Sequence, residues 1–273
     1  MANAPRYADR RVLITGGGSG IGQACVLRIL DEGGTVVAAD ISQAGLDDTV
    51  AKAGGRGADS LGGRLTTVII DVADEESVTD GVRVAVDTLS GLDTLVNVAG
   101  ILRSAHFLDT TLADFEHLLR VNLVGTFLVT RAALPALRAG TAPAVVNFSS
   151  TSASFAHPYM SAYAASKGGI LAMTHALAAE FAKDGIRFNS VQPGSISSGM
   201  TDGHGASQQS VGPGLPADSD LSQFVRVMPR LPLPHEAIFA DPASVAAVVA
   251  MLGSPEAFFI TGTDVRIDGG AHA

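Results

Sequence analysis

The sequence predicts an α/β fold: a single domain, residues 1–273, built on a doubly wound parallel sheet of about seven strands with helices on both faces. Short runs rich in β-branched residues alternate with longer amphipathic stretches along the chain. Such alternation is typical of β-α-β units with parallel strands. Apolar residues make up 47% of the 273 positions, which is enough for one large core. No linker-like change in composition divides the chain, so one domain is favoured over two.

The alternating runs give the elements in order. The predicted strands are residues 11–15, 35–40, 65–70, 92–98, 144–148, 186–191 and 263–267. The predicted helices are residues 21–32, 45–53, 74–89, 112–137, 159–182 and 242–252. Asp74 and Asp241 are suitable N-caps for two of these helices. Pro135 is expected to bend or break the helix over 112–137, because proline cannot donate a backbone hydrogen bond.

One segment, residues 197–235, interrupts this alternation and is rich in Gly, Pro, Ser and Asp. Leu221, Phe224, Val225 and Met228 lie within it at helical spacing. A long loop inside a compact domain usually serves a function or is disordered. We predict a substrate lid here; the alternative is a surface insertion whose apolar stripe packs on the body of the domain.

Composition and charge exclude several classes of function. The chain has 27 acidic and 18 basic residues and a net charge of −9, which argues against binding to nucleic acid. The single cysteine, Cys25, cannot form an intramolecular disulfide, so we expect a reducing, cytoplasmic location. We expect no secretory signal and no membrane-spanning segment, since no long apolar run occurs. The seven histidines show no metal-ligand spacing, so no catalytic metal is expected.

A glycine-rich turn lies between the first predicted strand and the first predicted helix. It contains Gly16, Ser19, Gly20 and Ile21. Glycines allow the backbone to approach a pyrophosphate, and the N-terminus of the helix supplies amide donors. A plain tight turn is the alternative, but the position between strand and helix favours dinucleotide binding on a Rossmann-type sheet.

Acidic and small residues at the ends of the next strands extend this prediction. Asp40 lies 18 residues after Gly22, where a carboxylate accepts hydrogen bonds from ribose hydroxyls and repels a 2′-phosphate. We therefore predict NAD rather than NADP as the cofactor. Asp71 and Val72 follow the third strand, where the carboxylate could reach the adenine amino group or simply cap the next helix.

The fourth strand ends in a further cofactor-binding candidate. Asn97, Ala99 and Gly100 are close together there, and their small side chains would leave room for the adenosine.

Tyr163 and Lys167 form the chemical signal of the sequence. They are four residues apart, which places a phenol and an ammonium on one helix face. A nearby cation favours phenolate, so we expect Lys167 to lower the pKa of Tyr163 from its usual value near ~10. A phenol adjusted in this way can act as a general acid or base.

Taken together, these motifs resemble the short-chain dehydrogenase/reductase family. The matching motifs occur in the family's order between residues 11 and 270: Thr15-Gly-x-x-x-Gly-x-Gly22, Asn97-x-Ala-Gly100, Asn122, Ser150, Tyr163-x-x-x-Lys167, Pro193-Gly194 and Asp268-Gly-Gly270. The chain departs from the family at Val98, where a second Asn is usual, and at Ser198, where Thr is usual.

The resemblance implies roles for the catalytic candidates. Tyr163 would donate a proton to a carbonyl oxygen or take one from an alcohol, and Lys167 would hold the nicotinamide ribose. Ser150 would hydrogen-bond the same substrate oxygen, with its neighbour Ser149 as the competitor. Asn122 would hold a water that links Lys167 to solvent; an ordinary bond from its side chain to backbone is the alternative.

The resemblance also implies cofactor contacts and an assembly. Pro193 and Ile196 would present backbone to the nicotinamide carboxamide, and Ser198 would keep the hydroxyl of the usual threonine. The expected activity is the NAD-dependent interconversion of a secondary alcohol and a ketone by a homotetramer. The helices that hold Asn122 and Tyr163 would form one interface.

Other functions and the substrate stay open at this point. A catalytically silent dinucleotide-binding regulator and a methyltransferase on the same fold are alternatives, although neither needs Ser150, Tyr163 and Lys167 together. The apolar residues of the predicted lid suggest a small, apolar alcohol or ketone as the substrate. His157, between Ser150 and Tyr163, is a candidate for the wall of the pocket; a surface loop is its other reading.

Overall fold

A computed structural model of the protein describes residues 5–55, 63–201, 212–234 and 237–273, except for the side chains of Val225 and Arg226. The strands are β1 Arg11–Thr15, β2 Thr35–Asp40, β3 Leu65–Ile69, β4 Thr94–Asn97, β5 Ala144–Phe148, β6 Arg187–Pro193 and β7 Asp264–Ile267. The helices are α1 Gly20–Asp31, α2 Gln43–Gly54, α3 Glu75–Leu89, α4 Leu112–Leu119, α5 Gly125–Arg138, α6 Ser161–Phe181 and α7 Pro242–Gly253.

The described residues form one seven-stranded sheet in the order β3-β2-β1-β4-β5-β6-β7, and all of its pairings are parallel. The fold class predicted from the sequence is therefore confirmed. The chain runs outward from β1 to β3, then returns to the centre at β4 and runs to the other edge. This reversal opens a crevice beyond the carboxyl ends of β1 and β4, the usual place for a ligand in such sheets.

Alternating side chains of the strands face two separate layers of helices. Val12 and Ile14 of β1 lie in one core cluster with residues of α1, α2 and α7, whereas Leu13 lies in a second cluster with residues of α3, α5 and α6. This alternation follows from the two-residue period of a strand. Because both faces are covered, the inner strands contain continuous apolar runs, such as Val12–Ile14 in β1 and Val36–Ala39 in β2.

Two helix starts follow the sequence prediction closely. The Asp74 carboxylate accepts a hydrogen bond from the Ser77 amide at 2.7 Å, and the Asp241 carboxylate accepts one from the Ala243 amide at 2.7 Å. Both aspartates are therefore N-caps, which satisfy amides that lack a partner in the first turn.

The helix predicted over 112–137 is interrupted, but not where expected. Pro135 lies inside α5, which continues to Arg138. The irregularity is a π-helical segment, Arg120–Val124, between α4 and α5. Such one-turn widenings of an α-helix are frequent at functional sites. This one includes the predicted site residue Asn122.

By length and composition alone, the stretch Leu112–Arg138 could cross a membrane. This is weak evidence, because the core helix of a globular protein passes the same test. Leu118, Leu128, Val129 and Leu137 are buried within the protein, and three of them belong to the second core cluster.

Gly22 tests the packing of α1 against the turn that precedes it. A Cβ at Gly22 would lie 1.9 Å from the backbone oxygen of Gly16, which cannot move without displacing β1. We predict that Gly22→Ala lowers the free energy of unfolding, measured in urea, by about 3 kcal/mol. The control is Gly168→Ala within α6, where a Cβ meets no heavy atom within 4 Å. The control is expected to gain up to about 1 kcal/mol; equal effects of the two substitutions would contradict this packing.

Candidate active site

A cavity of about 500 Å³ lies at the carboxyl ends of the central strands. All predicted site residues except Asn97 and Asn122 line it. These residues are Gly16, Ser19, Gly20, Ile21, Asp40, Asp71, Val72, Ala99, Gly100, Ser150, Tyr163, Lys167, Pro193, Ile196 and Ser198. The cavity therefore brings the glycine turn at one end together with the Tyr163 helix at the other.

The glycine turn has the geometry that a pyrophosphate requires. Gly16 has a φ of +72°, and a Cβ there would lie 2.7 Å from the Ala99 amide nitrogen, so only glycine fits. Ser19 is the N-cap residue of α1, yet its side chain bonds no amide of the helix. The first turn of α1 therefore faces the cavity without a side-chain cap, which suits an anionic group.

Asp40 is held firmly at the end of β2. Its carboxylate accepts hydrogen bonds from the Gly18 amide at 2.9 Å and from the Ser42 amide at 3.0 Å. A carboxylate has about four lone-pair sites, so it can still accept bonds from two ribose hydroxyls. The anchoring to Gly18 also ties the charge to the glycine turn.

Asp71 combines its two predicted roles. One carboxylate oxygen accepts a bond from the Ala73 amide at 2.8 Å, as expected of a residue that shapes the turn into α3. The residue also lines the cavity next to Val72. The adenine contact therefore stays a prediction that the geometry permits.

Asn97 was predicted to contact the cofactor, but its side chain does not line the cavity. Its side chain is buried and donates to the Thr130 hydroxyl at 3.0 Å and to the Asn147 side chain at 2.9 Å. The alternation of β4 directs Asn97 into a polar chain between strands and helices. Its neighbours Ala99 and Gly100 do line the cavity.

Tyr163 and Ser150 both line the other half of the cavity. Burial raises the pKa of the Tyr163 phenol to about 12, and the hydrogen bond with Ser150 acts in the opposite direction. Ser149, the competitor, donates its hydroxyl to the Lys167 carbonyl at 3.0 Å and so anchors α6. The geometry thus favours Ser150 as the partner of the phenol.

The prediction that Lys167 lowers the pKa of Tyr163 is wrong. The Lys167 ammonium donates to the Phe148 carbonyl at 2.8 Å and lies 5.7 Å from the centroid of the Tyr163 ring. Burial lowers the pKa of Lys167 to about 8. Desolvation of the phenolate is the largest influence on Tyr163, so its pKa rises instead of falling.

Asn122 is fully buried and sits beside the cavity rather than in it. Its Oδ1 accepts from the Ile101 amide at 2.8 Å, and its Nδ2 donates to the Ile101 carbonyl at 3.0 Å and to the Ser166 hydroxyl at 2.9 Å. The alternative reading, a bond from the side chain to backbone, is therefore what the structure shows. A water held by this residue stays a prediction.

Most of the substrate half of the cavity comes from residues that the sequence did not single out. Leu102, Thr151, Met160 and Leu215 line it together with His157, Phe224 and Met228, which the sequence did suggest. Leu221 of the predicted lid does not line the cavity and is exposed. Residues 202–211 and 235–236 of that lid lie outside the described residues. Of the lining residues that the sequence analysis missed, only Met160 had a local signal, because it directly precedes the helix that carries Tyr163.

The described part of the predicted lid contacts the loop before α6. A 3₁₀ helix, Leu221–Val227, places the ring of Phe224 in a stack on that of Tyr159, with centroids 6.1 Å apart. The Asp220 amide donates to the Tyr159 hydroxyl at 3.0 Å. Within the described residues, no group of three or more His, Cys, Asp or Glu side chains could hold a metal ion.

Comparison with known proteins identifies the family. A model for short chain dehydrogenases matches residues 10–209. A 3-oxoacyl-acyl-carrier-protein reductase of Thermotoga maritima is 36% identical over 265 residues, which cover 97% of this chain and 98% of that protein.

Two similar crystal structures contain a dinucleotide. A short chain dehydrogenase from Mycobacterium paratuberculosis bound to NAD has a TM-score of 0.84 at 28% identity, covering 97% of this chain and 98% of that one. One from Burkholderia cenocepacia in complex with NADP has a TM-score of 0.80 at 31% identity, covering 98% and 100%. The chain thus belongs to the short-chain dehydrogenase/reductase family, oxidoreductases that act on substrates of the alcohol and ketone type.

Proposed function

We propose that the protein interconverts a secondary alcohol and a ketone with NAD(H), and that Tyr163 is its general acid and base. The observation that carries this proposal is that Tyr163, Ser150 and Lys167 line one cavity together with the glycine turn. A phenol and a serine hydroxyl side by side can hold one substrate oxygen and exchange a proton with it.

The residues of the chain would divide the work between binding and proton transfer. The glycine turn and the first turn of α1 would hold the pyrophosphate, and Asp40 the adenosine ribose. The nicotinamide supplies or accepts the hydride. Ser150 would orient the reacting oxygen, and Tyr163, whose raised pKa keeps it protonated at neutral pH, would give that oxygen its proton during reduction.

The preference for NAD over NADP rests on charge. Asp40 lies where a 2′-phosphate would approach, and Lys167 is the only Lys or Arg among the described residues that line the cavity. Lys167 lies near the end of β5, three strands from Asp40, or about 14 Å at the usual strand spacing. A 2′-phosphate would therefore meet a carboxylate, and none of the described residues that line this end of the cavity is a compensating cation.

The assembly and location complete the proposal. An apolar alcohol or ketone suits Leu102, Met160, Phe224 and Met228, which line the cavity. We further propose a cytoplasmic homotetramer with α4, α5 and α6 at one interface, since Leu112 on the α4 surface is exposed. The mass of the protein in solution tests this, because a tetramer has four times the 27.8 kDa of the chain.

Removing the phenol hydroxyl tests the proposed acid and base. Tyr163→Phe keeps the ring and its packing but removes the group that transfers the proton. We predict that turnover of the best alcohol falls roughly 10²–10⁴-fold, while NADH binding, followed by fluorescence, is retained. Ser149→Ala is the comparison for Ser150→Ala, and only the latter should approach the loss in Tyr163→Phe. Unchanged turnover in Tyr163→Phe would exclude the proposed proton donor.

Substitution of Asp40 tests the cofactor preference. Asp40→Asn removes the charge but keeps an oxygen that can accept from Gly18 or Ser42, so the turn should stay in place. We predict that the ratio of kcat/KM for NAD to that for NADP falls at least about tenfold, equivalent to ~1.4 kcal/mol. The gain should come mainly from better NADP use. A wild-type enzyme that already prefers NADP would refute the charge argument.

A further inference from the structure

His157 lies in the cavity wall that also contains Ser150 and Tyr163. It belongs to the loop between β5 and α6 and is partly buried. Its role is not accounted for by cofactor binding or by proton transfer at Tyr163. The arrangement of its two ring nitrogens indicates what it can recognise.

Hydrogen bonding defines the tautomer of His157. Its Nδ1 lies 3.2 Å from the Phe155 carbonyl oxygen, which can only accept, so Nδ1 carries the proton. Burial lowers the pKa of the imidazole, and nearby His272 acts in the same direction. The ring is therefore neutral at physiological pH, and its Nε2 carries a lone pair.

Among the described residues, the Nε2 lone pair has one long hydrogen-bond contact, with the Thr151 hydroxyl. The Thr151 hydroxyl lies 3.3 Å from Nε2 and 3.4 Å from the Pro193 carbonyl oxygen. A hydroxyl has one proton and can serve only one of these two acceptors at a time. When it turns to Pro193, Nε2 is free to accept a hydrogen bond from a molecule in the cavity.

The loop that carries His157 is fixed from behind. The ring of Phe155 stacks on that of His272, with centroids 4.2 Å apart, and Arg266 lies over the Phe155 ring at 5.1 Å. His272 is held in turn by the Asp268 carboxylate at 2.9 Å. The imidazole of His157 is thus a preorganised acceptor, which reduces the entropy lost when a ligand binds.

Several apolar side chains line the cavity together with His157. Leu102, Met160, Leu215 and Phe224 line the same half of the cavity. Lys167 is the only charged side chain among the described residues of that half, and it bonds the Phe148 carbonyl. A neutral donor on an otherwise apolar molecule is the match for such a wall, whereas an anionic group would meet no cation except Lys167 among the described residues that line the cavity.

We propose that His157 accepts a hydrogen bond from a second hydroxyl group of the substrate, so that the enzyme oxidises small diols and reduces the matching hydroxyketones. This rests on the proposed function, because Ser150 must hold the reacting oxygen. Thr151, which touches His157, directly follows Ser150, so the two recognition points suit a small ring. The reacting carbinol would lose a hydride to NAD⁺ and its hydroxyl proton to the ionised, phenolate form of Tyr163, while the second hydroxyl is unchanged.

The first test needs only the wild-type enzyme. Its probes are cyclohexanol, the 1,2-, 1,3- and 1,4-cyclohexanediols and their mono-O-methyl ethers, each with NAD⁺. An ether keeps the oxygen but cannot donate to Nε2. We expect kcat/KM for the best diol to exceed that for cyclohexanol and for its own ether by at least about tenfold, the effect of one neutral hydrogen bond. Equal values for the three would overturn the proposal.

Two variants assign the preference to the imidazole. His157→Phe should reduce the ratio of diol to cyclohexanol kcat/KM by about 10-fold or more, with NADH binding retained. The control is His175→Phe, which makes the same change at an exposed position of α6 and should leave the ratio unaltered. His157→Gln, whose side-chain oxygen can still accept, should restore part of the preference. An unchanged ratio in His157→Phe would overturn the assignment.

The outcomes also separate this inference from the proposed function. If the enzyme oxidises cyclohexanol but shows no preference for a diol, the diol proposal is wrong and the proposed dehydrogenase activity still holds. If no alcohol or ketone in the panel exchanged hydride with NAD(H), both proposals would fail.

Discussion

The desolvation of two ionisable groups that line one cavity, the Tyr163 phenol and the Lys167 ammonium, is the constraint on which the site depends. Lys167 bonds the Phe148 carbonyl, a neutral acceptor, and the neutral hydroxyl of Ser150 is the group that opposes the rise in the pKa of Tyr163. Keeping Lys167 charged in the folded protein costs on the order of 3 kcal/mol, given a pKa lowered to about 8. A site held together only for stability would not retain such a group, whereas proton exchange at a neighbouring oxygen benefits from it.

The sheet brings together segments that are distant in the sequence and carry the candidate site residues. The ends of β1, β2 and β3 present the glycine turn, Asp40 and Asp71, while the end of β5 presents Ser150 and α6 presents Tyr163. The strand order places the first group on one side of the β1–β4 crossover and the second on the other. In the proposed function, an extended dinucleotide would lie along this line, held by the glycine turn and Asp40 at one end and facing Tyr163 at the other.

Much of this arrangement could be predicted from the sequence, because its signals are local. The Gly16 turn, Asp40 after a strand, and the i,i+4 spacing of Tyr163 and Lys167 each depend on one short segment. The predictions that failed are those that depend on tertiary packing. Asn97 faces Asn147 in the sheet register, and Pro135 is tolerated while the π-helical segment lies further upstream. The pKa of Tyr163 is raised because the surrounding protein desolvates the phenolate. The spacing of Tyr163 and Lys167 along the sequence cannot show this.

The most direct test of the central claim is the pH dependence of hydride transfer in single turnovers, run in both directions. Deuterium on the reacting carbon reports whether that transfer limits the observed rate. The account predicts that alcohol oxidation speeds up as pH rises toward the raised pKa of the phenol, while ketone reduction slows as the phenol ionises. Rates that are independent of pH in both directions, or a profile that Tyr163→Phe leaves unchanged, would contradict the claim that this buried phenol moves the proton.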